Sequence, residues 1–345
     1  MRLGRACNYM ADFKVDALMI ENPSDIFYLT NQWFSLATIL LTPDTASLIV
    51  DGRYFEHAKK TVPCNVILAE KNVLGKELEK AKRVGFDSAF MTVDRSFAMQ
   101  HSIPSKEWIP IPRPLKELRV CKDEGEIAAL KEAARITSDG FRSILAKLKE
   151  GISEQELGLE FEIYCRRQGA SKCSFDPIVA FGLNSAFPHY RTGKAHLQKN
   201  QIALFDLGSI VQNYAADMTR VFFFGQPASV LDRLYRLVKE AHDRAASAIR
   251  PGTRLGQLDE IVRSFFAKEG VEQLFSHGLG HGVGIDVHEH PVIRFDSEDR
   301  DLLLRPNMVF TIEPGLYLPG EGGVRYENTF VVTETGSENF YATVS

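Results

Sequence analysis

Ile202-Ala203-Leu204-Phe205-Asp206-Leu207-Gly208, answered by Asp217-Met218-Thr219-Arg220, is the stretch on which the reading of this chain turns. An apolar strand runs into a carboxylate, and a hairpin later a second carboxylate returns beside it. The pattern recurs in Val309-Phe310-Thr311-Ile312-Glu313-Pro314-Gly315, with Arg325-Tyr326-Glu327-Asn328 on the return and a turn at Leu318-Pro319-Gly320-Glu321-Gly322-Gly323 between them. Like charges opposite each other on paired strands are destabilising, and a buried carboxylate without a partner is costly. Acids sited in this way call for cations, so the two hairpins read as the walls of a two-metal site. Pairing Asp206 with Asp217 across the first hairpin closes it around Val211 and Gln212. A slip of one residue would turn one carboxylate away.

Nitrogen ligands are expected from His277-Gly278-Leu279-Gly280-His281-Gly282-Val283-Gly284-Ile285-Asp286-Val287-His288-Glu289-His290, which holds four of the nine histidines. Its glycines argue against a helix and suggest close approach of the backbone to a ligand. It is neither a helical His-Glu-x-x-His motif nor a phosphate-binding Gly-x-x-x-x-Gly-Lys loop. Carboxylate oxygens combined with imidazole suit manganese, cobalt, zinc or iron. A further segment, Phe175 to Tyr190, reads as a strand leading to a turn that presents His189. Taken singly, each of these residues also has a plain reading, as a strand-ending acid, a surface acid or a packed histidine.

The bulk properties fit an enzyme of ordinary composition. The chain has 345 residues and a formal net charge of -4, with no basic footprint for nucleic acid or polybasic patch for a membrane. It has no apolar run of about 18 residues or more, and Met1 to Tyr9 lacks the apolar core of a signal peptide. The five cysteines, Cys7, Cys64, Cys121, Cys165 and Cys173, are scattered without Cys-x-x-Cys spacing. Reduced thiols and a cytoplasmic location are expected.

Two domains are expected, over residues 1–115 and 116–345. In the first, residues 16–20, 38–41, 46–50, 66–68 and 84–86 read as strands, and 54–60 and 74–81 as helices, giving a small α/β unit. The proline-rich Ile109-Pro110-Ile111-Pro112-Arg113-Pro114 reads as the linker. A long amphipathic helix then opens at Lys122-Asp123-Glu124-Gly125-Glu126 and is stopped by Gly151. Helices over 154–167, 228–249 and 255–268 are expected behind an antiparallel sheet. The second domain is therefore α+β, and its doubled hairpin suggests two related halves facing each other.

The ordered set His189, Asp206, Asp217, His281, His288, Glu313 and Glu327 resembles the M24 metallopeptidase family. Asp51-Gly52-Arg53-Tyr54, Pro188-His189-Tyr190, Asp217-Met218-Thr219-Arg220, His281-Gly282-Val283-Gly284 and Gly323-Val324-Arg325-Tyr326-Glu327 resemble its Xaa-Pro aminopeptidase and Xaa-Pro dipeptidase (prolidase) branch. The resemblance spans nearly the whole chain. It implies a pita-bread catalytic domain with an antiparallel sheet and pseudo-twofold halves, preceded by a smaller α/β creatinase-type N-terminal domain. It further implies two divalent metal ions per chain, manganese, cobalt or zinc. Asp206 and Asp217 would bind one, Asp217 and Glu327 would bridge to the second, and His281 and Glu313 would complete it. His189, His277, His288 and Arg325 match positions that support the ligands or contact substrate, with His277 and Arg325 taken as substrate-binding. Asn328 departs from the family, which commonly has aspartate there.

The expected activity is hydrolysis of the Xaa-Pro bond at the N-terminus of peptides or in dipeptides. A water shared by two cations ionises near neutral pH. Glu313 is the expected base, and His288 and His189 are expected to stabilise the tetrahedral intermediate. The expected partners are a peptide with proline in second position and a second copy of the chain. Metal-independent creatinase-like C–N hydrolysis and a non-catalytic binding module are the alternatives on the same fold. The complete ligand set argues against both, and the extra N-terminal domain disfavours a methionine aminopeptidase.

Overall fold

In the computed structural model, which describes residues 2–226 and 228–342, the chain divides into two compact units, Met1–Arg119 and Val120–Ser345. The first is built on a six-stranded mixed sheet in the order β4-β3-β2-β1-β5-β6. Its strands are β1 (Ala17–Ile20), β2 (Ala37–Leu41), β3 (Ala46–Val50), β4 (Asn65–Leu68), β5 (Arg83–Asp87) and β6 (Glu107–Ile111). The innermost strands, β1 and β2, are buried along their whole length and read as continuous apolar runs. Helices α1 (Arg2–Tyr9), α2 (Pro23–Thr30), α3 (Phe55–Thr61), α4 (Val73–Glu77) and α5 (Val93–Ser102) connect or flank them.

Periodicity passes over α2 and α5 for a physical reason. Residues Ser24 to Thr30 of α2 are all buried, whereas α5 exposes Val93 and Phe97. Neither helix has a clear apolar stripe opposite a polar face. Their caps, Asn22 and Thr92, whose side chains accept backbone N–H bonds, were the available signals. The proline-rich stretch is also corrected. Residues 109–111 are not linker but the end of β6, which pairs in parallel with β5 at the sheet edge. An edge strand tolerates Pro110, because a missing N–H can face away from the ladder. The short α6 (Lys116–Val120) follows.

The second unit has two halves of like construction. In one, α7 (Glu124–Leu145) and α8 (Glu154–Arg167) share a core with β8 (Ile178–Phe181) and β9 (Gln201–Leu207). Both helices start in capping boxes, Asp123 with Glu126 and Ser153 with Glu156. The first ends at Leu145, so Gly151 is not its stop; at φ 82° it serves the following turn. A small sheet of β7 (Lys172–Cys173), β10 (Ser209–Val211) and β11 (Tyr214–Ala215) lies beside the three-stranded β12-β9-β8 sheet, where β12 is Met218–Phe224. In the other half, α9 (Ser229–Ser247) and α10 (Leu255–Lys268) share a core with a five-stranded sheet, β14-β13-β15-β18-β19. Its members are β13 (Gly280–Gly282), β14 (Glu289–Ile293), β15 (Val309–Ile312), β18 (Asn328–Val332) and β19 (Ser337–Asn339), with the hairpin β16 (Gly315–Leu318) and β17 (Gly322–Arg325) beside it. All pairings in this unit are antiparallel.

The two hairpins differ in register. Asp206 pairs with Thr219 and not with Asp217, a shift of two residues from the expected pairing. The cause is the turn, which closes on Gln212 and Asn213, both with positive φ, as the primed two-residue hairpin turns require. An even shift preserves the faces, so the acids still converge. In the second hairpin Ile312 pairs with Asn328 and Gly315 with Arg325, and that constant register sets Glu313 opposite Glu327.

Candidate metal centre

The halves meet where the Glu327 N–H donates to the Thr219 carbonyl at 3.2 Å and the Thr329 hydroxyl to the Asp217 carbonyl at 3.1 Å. These bonds bring the acids of both hairpins into one basin. Three overlapping groups have ligand atoms all within 4.8 Å of one another: Asp206, Asp217 and Glu327; His281, Glu313 and Glu327; and Asp217, His281 and His288. Asp217, His281 and Glu327 are buried, whereas His288 stands exposed at the edge.

Strand β13 carries His281 and is held by its own glycines. A Cβ on Gly280 would overlap the Thr311 carbonyl, and one on Gly282 the His290 carbonyl. The glycines thus admit neighbouring strands, not a ligand as the sequence suggested. The His281 N–H donates to Thr311 Oγ1 at 3.1 Å. Its ring Nδ1 lies 3.1 Å from the Gly282 carbonyl, which can only accept, so the proton sits on Nδ1 and the Nε2 lone pair is turned inward. That Nε2 is 3.6 Å from Asp217 Oδ2 and 3.5 Å from Glu313 Oε1. Ion-pair spacing would need a protonated ring. Burial first, and His288 second, hold His281 down at about 3, so the ring is neutral and these contacts are not ion pairs.

The acids are under matching strain. Burial, then the charges of Glu327, Asp206 and Glu313, raise the Asp217 carboxyl well above its ordinary value, and burial and Glu327 do the same to Glu313. Burial and Asp206 push Glu327 up to about 8. Two buried oxygens here, Asp206 Oδ1 and Glu327 Oε1, have no hydrogen-bond partner among the described residues. Their companion oxygens do: Arg325 Nη2 donates to Asp206 Oδ2 at 2.6 Å, and Thr219 Oγ1 to Glu327 Oε2 at 2.7 Å. Each carboxylate is thus oriented through one oxygen and offers the other inward. Together with an inward imidazole lone pair, this donor set fits divalent cations.

Arg325 is the strut of the site. Its Nε donates to Thr219 Oγ1 at 3.0 Å, and its Nη1 to the Tyr317 hydroxyl at 2.7 Å and more weakly to the Pro188 carbonyl at 3.4 Å. Tyr317 in turn lies 3.0 Å from His277 Nε2, whose Nδ1 donates to the Gly278 carbonyl at 2.8 Å. Burial first, then Arg325, keep His277 neutral at about 4. His277 and Arg325 therefore belong to one internal chain that ends on Asp206. His189 occupies an exposed turn after the 182–186 segment, and its side chain makes no hydrogen bond among the described residues. It is near enough to affect the protonation of both His277 and His288.

Sequence reasoning gave no role to Thr219 and Tyr317. The signal was alternation: Thr219 lies two residues beyond Asp217, and Tyr317 four beyond Glu313, on the same strand faces. The bonding of Asn328 to Arg220 and His242 had no local signal.

The sequence matches Metallopeptidase family M24 over residues 128–334 and the Creatinase/Prolidase N-terminal domain over residues 2–121. It is 34% identical to an uncharacterized peptidase, YqhT, of Bacillus subtilis (strain 168), over 98% of this chain and 96% of that one. Its fold superposes with TM-score 0.95 on an Xaa-Pro dipeptidase from Bacillus anthracis, at 31% identity and covering 99% and 97% of the two chains. An X-Pro aminopeptidase from Thermotoga maritima MSB8 gives TM-score 0.87 at 31% identity, covering 96% and 97%.

Proposed function

We propose a function from the premise that this chain belongs to metallopeptidase family M24 and carries a creatinase/prolidase N-terminal domain: it is an Xaa-Pro exopeptidase. Asp206, Asp217, His281, Glu313 and Glu327 would hold two divalent cations, with Asp217 and Glu327 shared between them and manganese, cobalt or zinc as the metals. The observation that carries this reading is the pair of inward, unpartnered carboxylate oxygens on Asp206 and Glu327. When bound, such cations supply Lewis acidity, polarising the scissile carbonyl and lowering the pKa of water toward about 7.

The chain's own residues do the rest. Glu313, which bound cations would keep ionised, takes a proton from the attacking water and returns it to the leaving nitrogen. His288, at the exposed edge of the basin, and His189 donate to the oxyanion as it forms. Arg325 and Thr219 keep Asp206 and Glu327 from rotating, so the acids are set before substrate arrives. A bond to proline has no amide hydrogen at the scissile nitrogen, so selection there falls to shape.

Dipeptidase and aminopeptidase relatives both support proline in second position. The reading extends to a homodimer, tested by light scattering, and to the cytoplasm, in keeping with five free thiols. No helix of the described residues is long and apolar enough to cross a membrane. The test is cleavage of Ala-Pro beside Ala-Pro-Ala by the manganese-supplied protein and by Glu313→Gln. Wild-type cleavage of at least one, reduced about 100-fold or more in the variant, is expected. Undiminished cleavage by Glu313→Gln would remove Glu313 as the base, and cleavage of neither peptide would point to another substrate class.

A further inference from the structure

Asn328, the first residue of β18 and the next after Glu327, uses both ends of its buried amide. Its Oδ1 accepts from Arg220 Nη2 at 2.7 Å, and its Nδ2 lies 2.9 Å from Nε2 of His242 on α9. A guanidinium only donates, which fixes the orientation of the amide. The amide nitrogen also only donates, so His242 Nε2 is the acceptor. The imidazole is therefore neutral, with its proton on Nδ1 beside Asp243 Oδ1 at 3.1 Å. The ring is buried and stands edge-on to Tyr326 at 4.9 Å between centroids.

Arg220 is 1% exposed and connects this pair to the metal centre. Its Nη1 donates to the Glu327 carbonyl at 2.6 Å and to the Thr219 carbonyl at 2.8 Å, and the guanidinium lies 4.5 Å from the centroid of the Tyr326 ring. Those carbonyls belong to the two residues whose side chains meet at Thr219 Oγ1 and Glu327 Oε2. Moving the guanidinium would therefore move the backbone that aims Glu327. An aspartate at 328 would still serve Arg220, but it would turn a lone pair toward His242 Nε2. With the imidazole proton on Nδ1, as here, the group facing Nε2 must donate, and an amide does so where a carboxylate would not.

We propose that His242 and Asn328 are positioning residues for Glu327, a neutral imidazole–amide bridge from α9 that fixes Arg220 on the Glu327 carbonyl and so holds the Glu327 carboxylate in place for the cations. The inference rests on the metal reading above and concerns residues outside the ligand set. Neither residue touches substrate or cation in this role.

The test is cobalt(II) titration of the metal-depleted full chain, read by cobalt absorption and calorimetry. His242→Leu removes the acceptor, whereas His242→Gln can offer its Oε1 instead. Loss of an outer hydrogen-bond partner typically lowers metal affinity about 10–100-fold. His242→Leu is accordingly expected to bind cobalt about tenfold or more weakly, and His242→Gln to return to within about threefold of wild type. In an Asn328→Ala background, His242→Leu should cost nothing further, because the bridge is already cut; a packing role for the ring would still register there. Equal affinity of wild type and His242→Leu, with unchanged far-UV circular dichroism, would overturn the proposal. Should His242→Leu not fold, Asn328→Ala must bind weakly while His242→Gln binds normally, and any other result overturns it. A wild-type chain that binds no cobalt would sink the metal reading and this inference with it, a result distinct from tight wild-type binding that the variants leave unchanged.

Discussion

Chelating the divalent cations is predicted to make the folded chain less stable as pH rises from 6.5 to 8. Without a cation, burial first and the charge of Asp206 second hold the Glu327 carboxyl at about 8, against 4.5 for the free side chain. Between those values the folded chain keeps a proton that the unfolded chain has released, so stability falls with rising pH. The buried imidazoles act in the opposite sense over a lower range. His281 and His277, held at about 3 and about 4, take up protons on unfolding around and below their ordinary 6.5, so most of the stability they add with rising pH is gained below that value.

Above 6.5 the imidazoles contribute only the tail of their titration, about 0.4 kcal/mol each in the opposite sense, and the raised carboxyls dominate. At about 1.4 kcal/mol per pH unit, Glu327 accounts for about 2 kcal/mol between pH 6.5 and 8, and Asp217 and Glu313, both raised, act in the same direction. Bound cations keep the same groups ionised when folded, so saturating manganese is expected to flatten the dependence. Urea unfolding at several pH values, with chelator and with manganese, measures this. Far-UV circular dichroism is the suitable probe, because both tryptophans, Trp33 and Trp108, lie in the N-terminal unit. Stability that holds level or climbs over this range in the chelated protein would refute the account of crowded, buried acids.

Two further outcomes are expected from the frame around the site. Lys122 and Glu289 form a buried ion pair at 2.7 Å, immediately after His288. Removing one member of such a pair costs about 3–5 kcal/mol. Lys122→Met should therefore lower the melting temperature of the second unit by about 10 °C, and an unchanged melting temperature would show that the pair contributes nothing net. Gly280→Ala would drive a methyl into the Thr311 carbonyl and part β13 from β15. Calorimetry should then show cobalt binding at least about tenfold weaker, as expected when a ligand's supports are displaced; wild-type affinity would mean that the strand yields without moving His281.

The parts of the fold legible in the sequence were those whose signal is local. The helices over 154–167 and 255–268 and the strand over 46–50 lie where periodicity puts them, because each buries one regular pattern of residues. Helices α2 and α5 were hidden because one is buried all round and the other turns apolar residues outward. Pro110 disguised β6, since a proline argues against a strand except at the edge it occupies. The convergence of Asp206, Asp217, His281, Glu313 and Glu327 was legible because a carboxylate that ends a buried apolar strand needs a positive partner, and both hairpins repeat that need. Their supports were less so. Thr219 and Tyr317 were reachable by counting alternate residues, but the contact between Asn328 and His242 crosses 86 positions and leaves no trace in either neighbourhood.

The difference in register between the hairpins explains why the halves need each other. In the second hairpin the acids fall opposite each other in the gap between the β15–β18 and β16–β17 pairings, and the charge of Glu327 raises the Glu313 carboxyl. In the first, the stagger puts an uncharged hydroxyl, Thr219, opposite Asp206. That hydroxyl donates to Glu327 of the other half while accepting from Arg325, which in turn grips Asp206. Thr219 can do both only because its hydroxyl has one proton to give and lone pairs to receive. With Asp217 opposite Asp206, as the sequence first suggested, the first hairpin would crowd two acids face to face and leave Glu327 without its hydrogen bond. The two-residue stagger sets opposite Asp206 the hydroxyl whose bond joins the halves, while Asp206 still acts on Asp217 through space, and one oxygen each of Asp206 and Glu327 is left facing inward.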